Sequence, residues 1–132
     1  MRKRIVITGA GRGLGRALAQ RWAEQGHEVW GCSRSGVADA LLAGCVELDL
    51  GDEASVVRGA AELSTHLDAV DLLVNCAGVD ARAFGAPEDP RGPFDVAADV
   101  WEAVFRVNVV GPMVLTRELL SRLRRGTEPL VL

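Results

Sequence analysis

A β-branched run, Ile5-Val6-Ile7-Thr8, meets a glycine-rich turn, Gly9-Ala10-Gly11-Arg12-Gly13-Leu14-Gly15, and the turn opens into an amphipathic stretch from Leu14 to Gln25. That order predicts strand, phosphate-binding turn and helix. Gly9 lets the chain reverse at the strand end, Gly13 lets backbone approach a pyrophosphate, and Gly15 permits close packing of helix on strand. The unpaired amides of the helix N-terminus then face the phosphate anions. Glycines at such a density also occur in ordinary loops. The strand before and the helix after are what point to a nucleotide grip, with Gly9, Gly11, Arg12, Gly13, Leu14 and Gly15 as its residues.

Length and composition narrow the function classes. The 132 residues amount to one domain, long enough to bury a core. Apolar residues make up 48% and charged residues 25%, the balance of a globular protein rather than a disordered one. No apolar run approaches the roughly 20 residues needed to span a bilayer, and Met1-Arg2-Lys3-Arg4 is followed by too short an apolar run for a signal peptide. A cytoplasmic protein with no membrane partner is expected. The net charge of −3 with scattered arginines gives no footprint for nucleic acid. Cys32, Cys45 and Cys76 lack paired spacing and read as reduced, mostly buried thiols, with no metal site. The chain has no tyrosine, and Lys3 is its only lysine.

Along the chain, strands and helices alternate. The first helix presents Leu14, Ala17, Leu18 and Trp22 as its apolar face, Gly26 stops it, and 27–32 reads as a second strand. A short helix around Val37 to Leu42 precedes a third strand over 45–49. Asp52 is placed to cap a helix running to about Leu67, with Val56, Ala60, Leu63 and Leu67 on one face. A fourth strand over 71–75 is apolar without alternation, as a strand covered on both faces should be. A Pro- and Gly-rich loop follows from Val79 to Asp95. A long helical stretch from about Val96 to Arg125 should break near Gly111-Pro112, and 128–132 begins a fifth strand. Such alternation predicts an open, parallel, doubly wound α/β sheet with its ligand outside the carboxyl ends of the strands.

Three motifs in register resemble the short-chain dehydrogenase/reductase family: Thr8-Gly9-x-x-x-Gly13-x-Gly15, Asn75-Cys76-Ala77-Gly78 after the fourth strand, and Asn108 within Phe105-Arg106-Val107-Asn108-Val109. The resemblance covers nearly the entire chain but only about the N-terminal half of the family's usual length. It implies a Rossmann-type sheet of order 3-2-1-4-5 that forms one NAD(P)-binding domain over 1–132, incomplete relative to the family. It also implies a small carbonyl or alcohol substrate and a homo-oligomer. The run Val107 to Pro112 with Leu115-Thr116 is more loosely similar to a carbonyl-reductase branch that includes the C-factor and Sniffer proteins. The family's catalytic serine and Tyr-x-x-x-Lys pair have no counterpart here. Of its catalytic four only Asn108 remains, where the resemblance implies a hold on a proton-relay water. The 132 residues alone are therefore expected to be inactive, and the sheet's fifth strand to be an open edge prone to self-association.

The resemblance also assigns the cofactor subsites. At the end of the second strand an acidic residue would accept from a ribose 2′-hydroxyl, whereas arginine suits a 2′-phosphate. Ser33 and Arg34 stand there, with Arg12 in the turn and no acidic residue before Asp39, so NADP is expected over NAD. The competing reading is that both arginines are merely solvated. Asp49 and Leu50 fall where the family sets a carboxylate and an apolar neighbour against adenine; the competing reading is that Asp49 merely begins the Asp52 cap. Asn75, Cys76, Ala77 and Gly78 would line the adenosine ribose. His27, His66 and the three tryptophans read as structural. A rival function class stays open: a non-catalytic nucleotide-binding or redox-sensing module, or a half-domain completed by a partner.

Overall fold

The computed structural model describes residues 1–36, 39–86 and 95–132. Five parallel strands, β1 (Arg4–Thr8), β2 (Glu28–Ser33), β3 (Gly44–Glu47), β4 (Leu72–Val74) and β5 (Leu130–Val131), form one sheet in the order β3-β2-β1-β4-β5. This is the predicted Rossmann-type arrangement. In β1, Ile5 and Ile7 face one apolar layer with Val29, Val74 and Ala19, while Val6 faces the other with Val46 and Leu73. Helix α1 (Gly13–Glu24) covers the first face. Helices α2 (Glu53–His66) and α4 (Gly111–Leu123) cover the second, contributing Val56, Ala60, Leu63, Leu115 and Leu119. Among the described residues, no helix is long and apolar enough to cross a membrane.

The inward face of α1 differs from the sequence reading. Gly15 and Ala19 are buried and Leu18 and Trp22 half-buried, but Leu14 and Ala17 lie exposed. Packing decided this: a Cβ on Gly15 would stand 2.2 Å from the Gly9 carbonyl oxygen, so the side without a side chain is turned against β1. Leu14 is thereby rotated outward.

Two further boundaries move. Of the short helix expected over Val37 to Leu42, Val37 and Ala38 lie outside the described residues, and 39–42 is a turn. There the Asp39 carboxylate accepts from the Leu41 amide at 3.0 Å and from Gln20 Nε2 at 2.8 Å, a side-chain bond that competes with helix. The long helical stretch is α3 (Ala98–Phe105), a π-helical turn (Arg106–Val110) and α4. The break falls just ahead of Gly111-Pro112. Pro112 sits in the first turn of α4, directly after the π-helical turn, where its missing N–H interrupts the helical ladder. Gly111 is pressed on Leu50, whose carbonyl oxygen would lie 2.4 Å from any Cβ there.

The segment after β4 contains a 3₁₀ turn, Ala81–Phe84, and its remainder with Pro87, Pro90 and Pro93 lies outside the described residues. The readings of His66 and Trp30 as structural agree with a stacked ring pair whose centroids are 4.5 Å apart. His27 Nδ1 accepts from the Lys3 amide at 3.2 Å. All three cysteines are free, but only Cys32 is buried; Cys45 and Cys76 are half-buried. Burial pushes the Cys32 thiol up to about 12, so it packs as an apolar group.

Candidate functional site

The carboxyl ends of β1, β2 and β4 and the segment after β3 open into a cleft of about 1170 Å³. Its floor is the glycine-rich turn. Gly9 has φ +70, and a Cβ there would lie 2.9 Å from the Ala77 backbone, so the turn and the segment after β4 meet at contact distance. Thr8, buried just before it, accepts from the Ala77 amide at 3.1 Å through Oγ1, which also lies 3.5 Å from the Val74 carbonyl. Gly13 has φ +56 with nothing within 4 Å of its Cβ position, so the backbone there is bare toward the cleft.

The two helices beside the cleft differ at their N-termini. The Asp52 carboxylate caps α2 by accepting from the Ala54 amide at 3.0 Å, and Glu53 stands in its first turn. Helix α1 has neither: Arg12 at its N-cap makes no side-chain cap bond, and no acidic residue lies in its first turn. Its leading amides and positive dipole end are left facing the cleft, an anion site that fits a phosphate group.

Most of the sequence-predicted residues come together here. Gly9, Gly11, Arg12, Gly13, Leu14 and Gly15 line the cleft, as do Ser33 and Arg34, Asp49 and Leu50, and Cys76, Ala77 and Gly78. Arg12 and Arg34 are exposed, and neither makes an ion pair among the described residues. Asp49 Oδ1 accepts from the Gly51 amide at 2.8 Å, while its own amide donates to Ser55 Oγ at 2.9 Å. The carboxylate thus shapes the loop, and the helix cap belongs to Asp52. Leu50 is 6% exposed, held as much by Gly111 as by the cleft.

Two predicted residues point elsewhere. Asn75 does not line the cleft. Its amide nitrogen Nδ2 and its backbone N–H both donate to the Leu132 carbonyl, at 3.1 and 2.8 Å, and its Oδ1 is buried with no partner among the described residues. Asn108, in the π-helical turn, accepts from the Val79 amide at 2.9 Å and donates to the Val79 carbonyl at 2.7 Å. Its side chain clamps the segment leaving β4 instead of lining the cleft. Ser35, Leu48, Gly51, Val79, Ala83, Phe84 and Val107 also line it. Nothing in their local sequence announced this, because tertiary packing delivers them.

The family model of short chain dehydrogenases matches residues 3–130. The chain belongs to the short chain dehydrogenase family. Protein FixR of Bradyrhizobium diazoefficiens is 32% identical over 141 residues, a match covering 98% of this chain and 49% of that protein. Among solved structures, an oxidoreductase of the family from Brucella ovis, in complex with a partially ordered NAD, superposes with TM-score 0.81. It is 31% identical, and the match covers 96% of this chain and 60% of that one. Pseudomonas aeruginosa RhlG, in an active-site complex with NADP, gives TM-score 0.74 at 30% identity, covering 95% of this chain and 49% of that one. The chain spans about half the length of the curated relatives it matches.

Proposed function

We propose that this chain is the cofactor-binding part of an NADP-preferring dehydrogenase/reductase that interconverts a small carbonyl compound and its alcohol. The observation that carries the reading is the uncapped N-terminus of α1 opening beside Arg12 and Arg34. The α1 amides would hold the pyrophosphate, and Gly13 would let it approach. Arg34, with Arg12 and Ser33, would hold a 2′-phosphate, since Asp39 is tied to Gln20 and Leu41. Asp49 and Leu50 would border the adenine, and Cys76, Ala77 and Gly78 the ribose. The relatives support a nicotinamide cofactor in general: the Brucella protein is described with NAD and RhlG with NADP. A bound nicotinamide supplies or accepts the hydride. Asn108 would set the Val79 backbone beside it, and Asn75 would tie β4 to β5.

The acid/base pair that the family uses has no counterpart in these 132 residues, so we infer that it is supplied from outside them and that they are inactive alone. The whole protein would work as a homo-oligomer in the cytoplasm, on substrates of the carbonyl-reductase kind. A charge-assisted hydrogen bond contributes about 1.5–3 kcal/mol, which corresponds to a preference of roughly tenfold to a hundredfold for NADPH over NADH. Fluorescence titration with both nucleotides tests this. Arg34→Ala should bring the two affinities together, and equal affinities before the substitution refute the preference.

A further inference from the structure

The two ends of the cleft differ in chemistry. Strand order places β2 and β4 on opposite sides of β1, whose glycine turn lies between them. The β2 side carries Ser33, Arg34 and Ser35. On the β4 side the lining residues are Cys76, Ala77, Val79, Ala83 and Phe84, none of them charged. The charged neighbours there, Asp80 and Arg82, pair with each other and stay out of the lining.

The apolar wall is built rather than incidental. Asp80 accepts from the Arg82 amide at 2.9 Å to cap the 3₁₀ turn, and Gly85 closes it in the left-handed region with φ +87. Helix α3 packs against the turn. Asn108 fixes Val79 with its two bonds. Phe84 is thus carried on a defined turn, yet remains 38% exposed. An aromatic ring part-bared in a cleft retains apolar area that a ligand entering the cleft can cover.

We propose that Phe84 is a specificity residue whose ring takes an alkyl or aryl group of the substrate, so that apolar carbonyl compounds and alcohols are preferred over those bearing a carboxylate. This rests on the dinucleotide reading above. A dinucleotide with its pyrophosphate at α1 and its 2′-phosphate toward Arg34 must extend its reactive half past β1 to the β4 side, which is where the substrate has to meet it.

Ligand-observed NMR on the purified protein saturated with NADP+ tests this, with benzyl alcohol and L-lactate as probes. Benzyl alcohol should bind at least tenfold more tightly than lactate. Phe84→Ala should weaken benzyl alcohol roughly tenfold, the scale expected for losing part of an aromatic contact, and Phe84→Leu should recover much of the loss. NADPH affinity, titrated separately by fluorescence, should stay within about twofold in both variants. Failure of NADPH to bind the unsubstituted protein overturns the dinucleotide reading and this inference with it. With NADPH bound, absent benzyl alcohol binding, lactate binding as tightly, or an unchanged Phe84→Ala variant each overturns the role of Phe84 alone.

Discussion

Arg4 and Asp71 form a two-pronged ion pair across the starts of adjacent strands: Nε donates to Oδ2 and Nη2 to Oδ1, both at 2.9 Å. The same carboxylate accepts from the Arg4 amide at 2.8 Å and from the Thr127 amide at 2.7 Å. One 3%-exposed side chain thereby joins β1, β4 and the approach to β5. The hydrogen bonds from Arg4, above all, hold the Asp71 carboxyl well below the usual carboxylate range. A depressed folded-state pKa contributes stability that is fully present above the unfolded value near 4 and is lost as pH falls toward the folded one. Asp71→Asn should cost about 3 kcal/mol in urea denaturation at pH 7. The difference from the unsubstituted protein should shrink steadily below pH 4.

Gly13 and Gly15 should respond differently to alanine. At Gly13 the new methyl meets open space, so the cost is the positive φ alone, about 1–2 kcal/mol. The protein should stay folded and lose nucleotide affinity. At Gly15 the methyl would collide with the Gly9 carbonyl, so α1 must shift from β1 and both thermal stability and nucleotide binding should fall. Calorimetry paired with NADPH titration separates the two outcomes.

Asn108→Ala removes both bonds to Val79 and leaves the backbone of the segment after β4 unheld. A loss of about 1–2 kcal/mol is expected. Amide exchange should rise at Val79 with little change at β1. Asn108→Asp keeps an acceptor but loses the donor to the Val79 carbonyl, and should fall between.

Thiol labelling of the folded protein at pH 8 should modify Cys76 and Cys45 well before Cys32, whose thiol is buried and raised to about 12. Because Cys76 lines the cleft, saturating NADPH should slow its labelling and leave Cys45 unaffected. Mass spectrometry after partial alkylation reads all three positions.

What the sequence determined by itself is what local chemistry controls. The glycines at 9, 13 and 15 are required by the backbone at those positions. Asp52 caps the helix it precedes, and the apolar spacing of α2 reproduces its buried face. Alternating apolar elements settled the parallel sheet, and the family motifs its strand order. Only the tertiary structure decided where polar side chains spend their hydrogen bonds and which side of a helix turns inward. Asn75 and Asn108 sit within the recognised motifs, yet their partners, Leu132 and Val79, lie 57 and 29 residues away. Leu14 fits both the apolar stripe of α1 and the nucleotide turn by sequence, and the contact of Gly15 with Gly9 turns it into the cleft. Phe84 has no local signature at all; a capped turn packed by α3 brings it to the site. Helix propensity, capping and turn geometry act over a few residues and are legible in order along the chain, whereas the composition of a cleft wall depends on contacts that exist only once distant segments have packed.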